Sequence, residues 1–203
     1  MIIYGASGHA KVIIDCLQSQ NLKVRAIFDD NPEVKNLLNY KVIYPYDPDL
    51  FPGEEMIVAI GNNKIRKRIV EKVSRSYHTP VALARPTVII SDHVKIGGGS
   101  VILHGSVVQS SSKIGKFVIV NTSATVDHDC LLGDFVHVAP NATLCGCVSV
   151  GEGTLLGAGS VVIPMVKIGK WCVIGAGAVI IEDVPDYSVI VGNPGKNIKK
   201  VNK

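Results

Sequence analysis

From residue 90 onward the hydrophobic positions keep a strict period. Every sixth residue from Ile90 to Ile180 is Ile, Val or Leu, without exception. The column four residues on, from Val94 to Val184, holds only Val, Ser, Ala, Cys and Thr. Neither the helical period of about 3.6 nor the strand period of 2 produces two such columns, so the segment predicts a solenoid of repeated units. Each hexapeptide makes one flat, strand-bearing side, with the aliphatic column filling the interior and the small column fitting where the chain turns. Glycines 97, 115, 133, 151 and 169 recur every eighteen residues. They predict a triangular coil with one glycine corner per turn, kept by a backbone angle or a close approach. Coils stack at about 4.8 Å, the spacing of paired strands.

Residues 1–85 follow another rhythm. Ile2-Ile3-Tyr4, Val24–Phe28 and Met56–Ile60 read as short apolar strands. Between and after them lie helical patterns, one over Ala10–Gln18 and one with Ile65, Ile69, Val70 and Val73 on its apolar side. Strands alternating with helices predict a small Rossmann-like parallel α/β sheet with its loops at the carboxyl edge. The chain thus divides into an α/β domain, 1–85, and a solenoid domain with a C-terminal tail, 86–203.

Composition narrows the function classes. The formal charge of +4 is unclustered apart from Lys196, Lys199, Lys200 and Lys203, and no basic stripe with aromatics points to nucleic acid. No long apolar run suggests membrane insertion, and Met1–Tyr4 reads as a strand rather than a leader. Five cysteines without a disulfide spacing fit a reducing compartment, so the expected location is cytoplasmic.

Candidate chemistry starts at Asp127-His128-Asp129, three ionisable residues between column members Val126 and Cys130. A neutral imidazole accepts a proton near pH 7, and a neighbouring carboxylate fixes its tautomer; the spacing leaves Asp127 and Asp129 equivalent. Eighteen residues on, Gly146 stacks over His128 and leaves room for a ligand. Gly157-Ala158-Gly159 stacks under Gly175-Ala176-Gly177, with Pro140 one coil below and His137 beside it. This second ridge lies well around the coil from His128, so a cleft using both is expected between copies of the chain. Cys130 and Cys172 fall in the small inward column and are expected to pack. Cys145-Gly146-Cys147 lacks a second cysteine pair, and no metal site is expected. In the α/β domain, Gly5-Ala6-Ser7-Gly8 before a helix offers free N–H groups to a phosphate. Asp29-Asp30 at the next strand end suits hydroxyl or base N–H donors.

Tyr4–His9 (Y-G-A-S-G-H), F-D-D at 28–30, A-I-G-N-N at 59–63, I-R-K at 65–67, N-T-S at 121–123, D-H-D-C at 127–130, G-D-F-V-H at 133–137 and V-G-N-P-G-K at 191–196 occur together. This set resembles the bacterial sialic acid O-acetyltransferase and UDP-4-amino-sugar N-acetyltransferase family of the hexapeptide acyltransferases. The resemblance implies a left-handed parallel β-helix, a homotrimer with its active site between subunits, acetyl-CoA as cosubstrate and no metal. It implies His128 as general base and Asp129 as the carboxylate that supports it. It also implies acetyl-CoA contacts from His137, Gly146, Ala158 and Ala176, and nucleotide-sugar contacts from Ser7, Gly8, His9, Asp29, Asp30 and Gly61. The expected reaction is N-acetylation of a UDP-linked 4-amino sugar for bacterial glycan biosynthesis. O-acetylation of a sialic acid or related sugar, and a non-catalytic sugar-nucleotide-binding module, are the alternatives.

Overall fold

The computed structural model describes residues 1–73, 76–83 and 87–201. The domain boundary expected at 85/86 lies outside the described residues. The N-terminal unit is built from β1 (Ile2–Tyr4), α1 (Gly8–Gln18), β2 (Ala26–Phe28), β3 (Asn36–Leu37), β4 (Tyr40–Ile43), β5 (Met56–Val58) and α2 (Asn63–Val73). Its sheet has the order β3-β4-β2-β1-β5. β1 lies parallel to β2 and β5, while β3 and β4 form an antiparallel hairpin at one edge. Strands β1, β2 and β5 are buried on both faces, as their unbroken apolar runs require.

α1 starts at Gly8, two residues earlier than its apolar pattern, and buries Ala10, Ile13, Ile14, Cys16 and Leu17. α2 departs further from expectation. Ile65 is 41% exposed, whereas Arg66 is 1% exposed. The inward row is Asn63, Arg66, Ile69, Val70 and Val73, spaced by threes and fours, and Ile65 sits about 100° away from its centre. A lysine- and arginine-rich helix start reads as solvent-facing by composition, yet here Asn63, Arg66 and Lys67 face the second domain.

That domain is a parallel β-helix. Its two-residue strands form three sheets in which residue i pairs with i+18, as in Val107↔Thr125, Lys113↔Leu131 and Ile119↔His137. The aliphatic column is buried from Ile102 to Ile180 and the small column from Ser100 to Val184. Burying each branched aliphatic contributes about 1.5–3 kcal/mol. The small polar members explain themselves by hydrogen bonds between coils. Ser112 Oγ donates to Asp127 O (2.6 Å) and accepts from Cys130 N (3.1 Å). Thr154 Oγ1 does the same with Gly169 O and Cys172 N. At a corner the ladder is interrupted, and a hydroxyl supplies both missing partners.

One residue per hexapeptide, at every sixth position from His93 to Gly177, has a positive φ. Ten of these are not glycine, among them Phe117, Asp129, Phe135, Cys147 and Trp171. The left-handed conformation disfavours such residues by roughly 1–2 kcal/mol each, offset by the corner bonds to neighbouring coils. The glycines at 97, 115, 133, 151 and 169 are not among them. A Cβ on Gly97 would lie 2.6 Å from Gly115 backbone, and one on Gly151 2.6 Å from Gly169 backbone. Close approach of stacked coils, not a backbone angle, is what keeps that column glycine.

The two domains share a core. A strand at Ala82–Leu83 joins the sheet beside Val101–Ile102. Val101, Leu103 and Ile119 pack in one cluster with Ile3, Ile14 and Ile57. α2 docks where Phe117 and Phe135 stack with centroids 5.2 Å apart, and Lys67 pairs with Glu152 at 2.7 Å. The chain closes with a strand at Ser188–Val191 and an antiparallel return at Lys196–Lys200. Among the described residues, no helix is long and apolar enough to cross a membrane.

Candidate active site

The corner at residues 127–130 separates the two carboxylates that the sequence leaves equivalent. Asp127 Oδ1 accepts the His128 backbone N–H (2.7 Å), so it closes the turn. Asp129, turned by its φ of 56°, brings Oδ2 to 2.8 Å from His128 Nδ1. The Asp129 bond, and then the Asp127 charge, raise the His128 pKa above the ordinary imidazole value. The ring is 56% exposed. With Nδ1–H donated to Asp129, Nε2 carries the free lone pair. That end of the ring lies over Gly146, where a Cβ would stand 2.6 Å from both Cε1 and Nε2. Only glycine leaves the imidazole in this position.

A second group gathers at the carboxyl edge of the α/β sheet. Gly5 has φ +110° and a Cβ there would meet Ala59 O at 2.9 Å, so the β1–α1 turn requires glycine. Ser7 caps α1 without using its hydroxyl. Added Cβ atoms at Gly8 and Gly61 would meet nothing within 4 Å, so both flank open space. Asp29 Oδ2 accepts the Ala6 N–H (2.6 Å) and Oδ1 the Asn31 N–H (2.8 Å), which makes Asp29 the brace of the turn. Asp30 Oδ1 accepts from Tyr4 Oη (2.6 Å) and Lys72 Nζ (2.8 Å). Burial pushes the Asp30 carboxyl up, but the Lys72 and Tyr4 bonds outweigh it and hold it below the usual range. Both aspartates therefore spend oxygens on the protein itself.

His137 joins the domains rather than standing on an open ridge. Its Nδ1 lies 3.2 Å from Gly61 O and its Nε2 3.0 Å from Asn121 Nδ2. A carbonyl on one side and an amide N–H on the other assign the neutral Nδ1–H tautomer. Burial, then the nearby Arg66 charge and His9, lower its pKa to about 3. His9 lies 6.4 Å from it, ring to ring, and is held at about 4 by burial and Arg66. His9 Nε2 is buried and has no partner among the described residues. Arg66 binds the seam through Ile60 O, Gly61 O, Phe117 O, Phe135 O and Asn63 Oδ1, with all five contacts at 2.8–3.2 Å. No carboxylate is among these partners, and burial lowers its pKa to about 9.

Residues 1–73 match the PglD N-terminal domain, and residues 147–182 match the bacterial transferase hexapeptide repeat. Among curated proteins, UDP-N-acetylbacillosamine N-acetyltransferase of Bacillus subtilis (strain 168) is 35% identical over 109 residues, 50% of each chain. The matched stretch thus spans about half the length of that relative. Solved structures match far more completely. The acetyltransferase domain of PglB from Neisseria gonorrhoeae FA1090, in complex with acetyl coenzyme A, is 35% identical with TM-score 0.87, covering 97% of this chain and 98% of its own. PerB from Caulobacter crescentus, in complex with CoA and GDP-perosamine, is 35% identical with TM-score 0.90, covering 98% and 96%. The chain belongs to the hexapeptide acyltransferase family.

In this hexapeptide acyltransferase the expected residues fall into separate places on the one chain. His128, Asp129 and Gly146 share one corner column. Ala158 and Ala176 are exposed on another, with Pro140, beside glycines of φ +65° and +67° where an added Cβ meets nothing. His137 lies on the face between that corner and the docked domain, with Ser7, Gly8, His9 and Gly61 around the sheet edge nearby. Cys130 and Cys172 are buried in the interior column as expected. Two residues stand in the sequence motifs without a role of their own, and a third is set aside there with Cys145 as a metal candidate. Arg66 was masked by its basic neighbours, and Asn121 needs the His137 contact to acquire a role. Cys147 emerges only because it is stacked one coil above Asp129.

Proposed function

We propose that this protein transfers the acetyl group of acetyl-CoA to the amine of a nucleotide-linked amino sugar, with a UDP-linked 4-amino sugar as first acceptor. The observation that carries the reading is the His128–Asp129 pair, held at 2.8 Å with its free nitrogen over Gly146. His128 Nε2 accepts a proton from the amine as nitrogen bonds to the thioester carbon. The C–S bond then breaks, and the CoA sulfur leaves as the thiol after taking a proton. Asp129 holds the imidazole and stabilises its charged form. The Gly146 N–H, which has no acceptor among the described residues, is the donor for the developing oxyanion. Orientation plus one base suffices for an amine attacking a thioester.

The sheet edge is the nucleotide-sugar site. Open space at Gly8 and Gly61, free N–H groups at the start of α1 and the unpartnered His9 Nε2 support it. Since His128 and the Ala158/Ala176 corner lie on different corners, the working cleft forms between subunits of a homotrimer, in the cytoplasm. Acetyl-CoA then contacts Ala158, Ala176 and Gly146 through backbone. His137 contributes by fixing the Gly61 loop, because both its ring nitrogens are committed within the protomer. The relatives, one named for a UDP sugar and one solved with GDP-perosamine, support a nucleotide-linked acceptor and a nitrogen nucleophile.

The test measures thiol release from acetyl-CoA with UDP- and GDP-linked 4-amino sugars, with His128→Ala as control. A hydroxylamine-stable amide product supports N-acetylation, while a labile ester would establish the O-acetyl reading. No thiol release with these acceptors or with a free sialic acid would leave only the binding module.

A further inference from the structure

Cys147 takes no part in acetyl transfer as derived above, yet it stands against the base. It occupies the corner one coil above Asp129, with φ 62° to the aspartate's 56°, and its N–H donates to His128 O at 2.9 Å. The coil register thus fixes three backbone positions rigidly while leaving three side chains exposed. A ring nitrogen of His128, a carboxylate oxygen of Asp129 and Sγ of Cys147 all lie within 4.8 Å of one another.

We propose that His128, Asp129 and Cys147 form a binding site for a soft divalent cation, Zn2+ first, whose occupancy switches the enzyme off. Imidazole, thiolate and carboxylate are the three side-chain ligand types of zinc, and the thiolate disfavours Mg2+ and Ca2+. With metal–ligand bonds of about 2.0–2.3 Å, tetrahedral ligand atoms sit roughly 3.3–3.8 Å apart. Side-chain rotation at three exposed residues closes the spacing from 4.8 Å without moving either coil. Three protein ligands leave a fourth position for water or a thiol. Binding releases the Cys147 thiol proton to solvent. A His128 nitrogen committed to the metal, and an Asp129 carboxylate drawn to it, end the pairing on which proton transfer depends. The inhibitory half of the proposal rests on the acetyltransferase reading, whereas the metal site does not.

Two measurements on the full-length, reduced, chelator-treated protein separate these halves. Titration with CoCl2 should yield a near-ultraviolet thiolate-to-cobalt charge-transfer band, saturating at one ion per protomer and displaced by ZnCl2. The band should vanish in Cys147→Ser and persist in Cys145→Ser. Amide formation, followed by mass spectrometry so that no thiol reagent competes for metal, should be inhibited by Zn2+ in the wild type. Cys147→Ala should retain basal turnover and need at least tenfold more Zn2+ for half-inhibition. Absence of the band, or its persistence in Cys147→Ser, overturns the site. Equal Zn2+ sensitivity in Cys147→Ala overturns the switch. A preparation that binds cobalt as described but transfers no acetyl group counts against the proposed function alone.

Discussion

Gly146→Ala is the sharpest test of the catalytic corner, because it perturbs His128 without replacing it. Gly146 has no positive φ, so alanine fits the backbone, but its Cβ would sit 2.6 Å from His128 Cε1 and Nε2. Carbon atoms in comfortable contact stand about 3.5–4.0 Å apart, so the ring must retreat by about 1 Å. It is free to do so, being more than half exposed, and the swing lengthens the 2.8 Å bond from Nδ1 to Asp129. Stability should change by no more than about 1 kcal/mol, since nothing in the coil moves. A 1 Å misplacement of a reacting group lowers turnover by about 100-fold. The assay is kcat and KM for acetyl-CoA and acceptor beside a thermal melt, with the pH profile as third readout. In the wild type the base must be neutral and its pKa is raised, so activity falls as pH drops through a value above the ordinary 6.5. In Gly146→Ala the Asp129 bond is weakened, so that acid limb should move to lower pH. A variant with kcat within twofold of wild type and an unmoved acid limb would refute the placement of His128 as the base.

The two aspartates should divide by the same profile: Asp129→Asn shifts the acid limb down and cuts kcat by more than tenfold. Asp127→Ala, which removes the acceptor of the His128 backbone N–H, mainly lowers the melting temperature; equal kcat losses would contradict the assignment. Arg66→Met strips five acceptors of their donor and should destabilise the protein by about 3–5 kcal/mol, seen as a loss of denaturation midpoint. A change below about 1 kcal/mol would remove Arg66 from the seam. His9 and His137 have folded pKa values of about 4 and about 3, below the unfolded 6.5. The unfolded chain therefore binds more protons between those limits, and stability is full above about pH 7 and declines as pH falls toward 3. Urea melts across that range should show the decline, and His137→Gln should flatten it; a stability independent of pH from 7 to 4 would mean these rings are not held neutral.

The solenoid was legible because one periodic constraint, burial of every sixth side chain, repeats through the whole domain. The same eighteen-residue count correctly stacked Gly146 on His128 and put Ala158 with Ala176. Left-handed corner positions were not legible, since Phe117, Trp171 and Cys147 occupy them as readily as glycine, and only the ladder between coils imposes the conformation. The α/β sheet edge was readable from its strand-ending loops, but what Asp29 and Asp30 bind was not. Their carboxylates answer to Ala6 and to Tyr4 with Lys72, contacts set by tertiary approach. Arg66 was opaque for a related reason. A buried guanidinium satisfied by carbonyls leaves no complementary charge in the sequence to betray it.

The uninterrupted register also determines how this chain can change in length. Inserting or deleting one residue between Ile96 and Ile180 would push an aliphatic side chain out of the interior in every later coil. Adding or removing eighteen residues restores both columns and all three ladders. Length is therefore quantised in whole coils, and the catalytic corner constrains where a coil can be added. Between His128 and Gly146 an extra coil would put a different residue beneath the imidazole. Beyond Ile180 it would leave both that corner and the Ala158–Ala176 stack untouched, so variation in solenoid length belongs at that end.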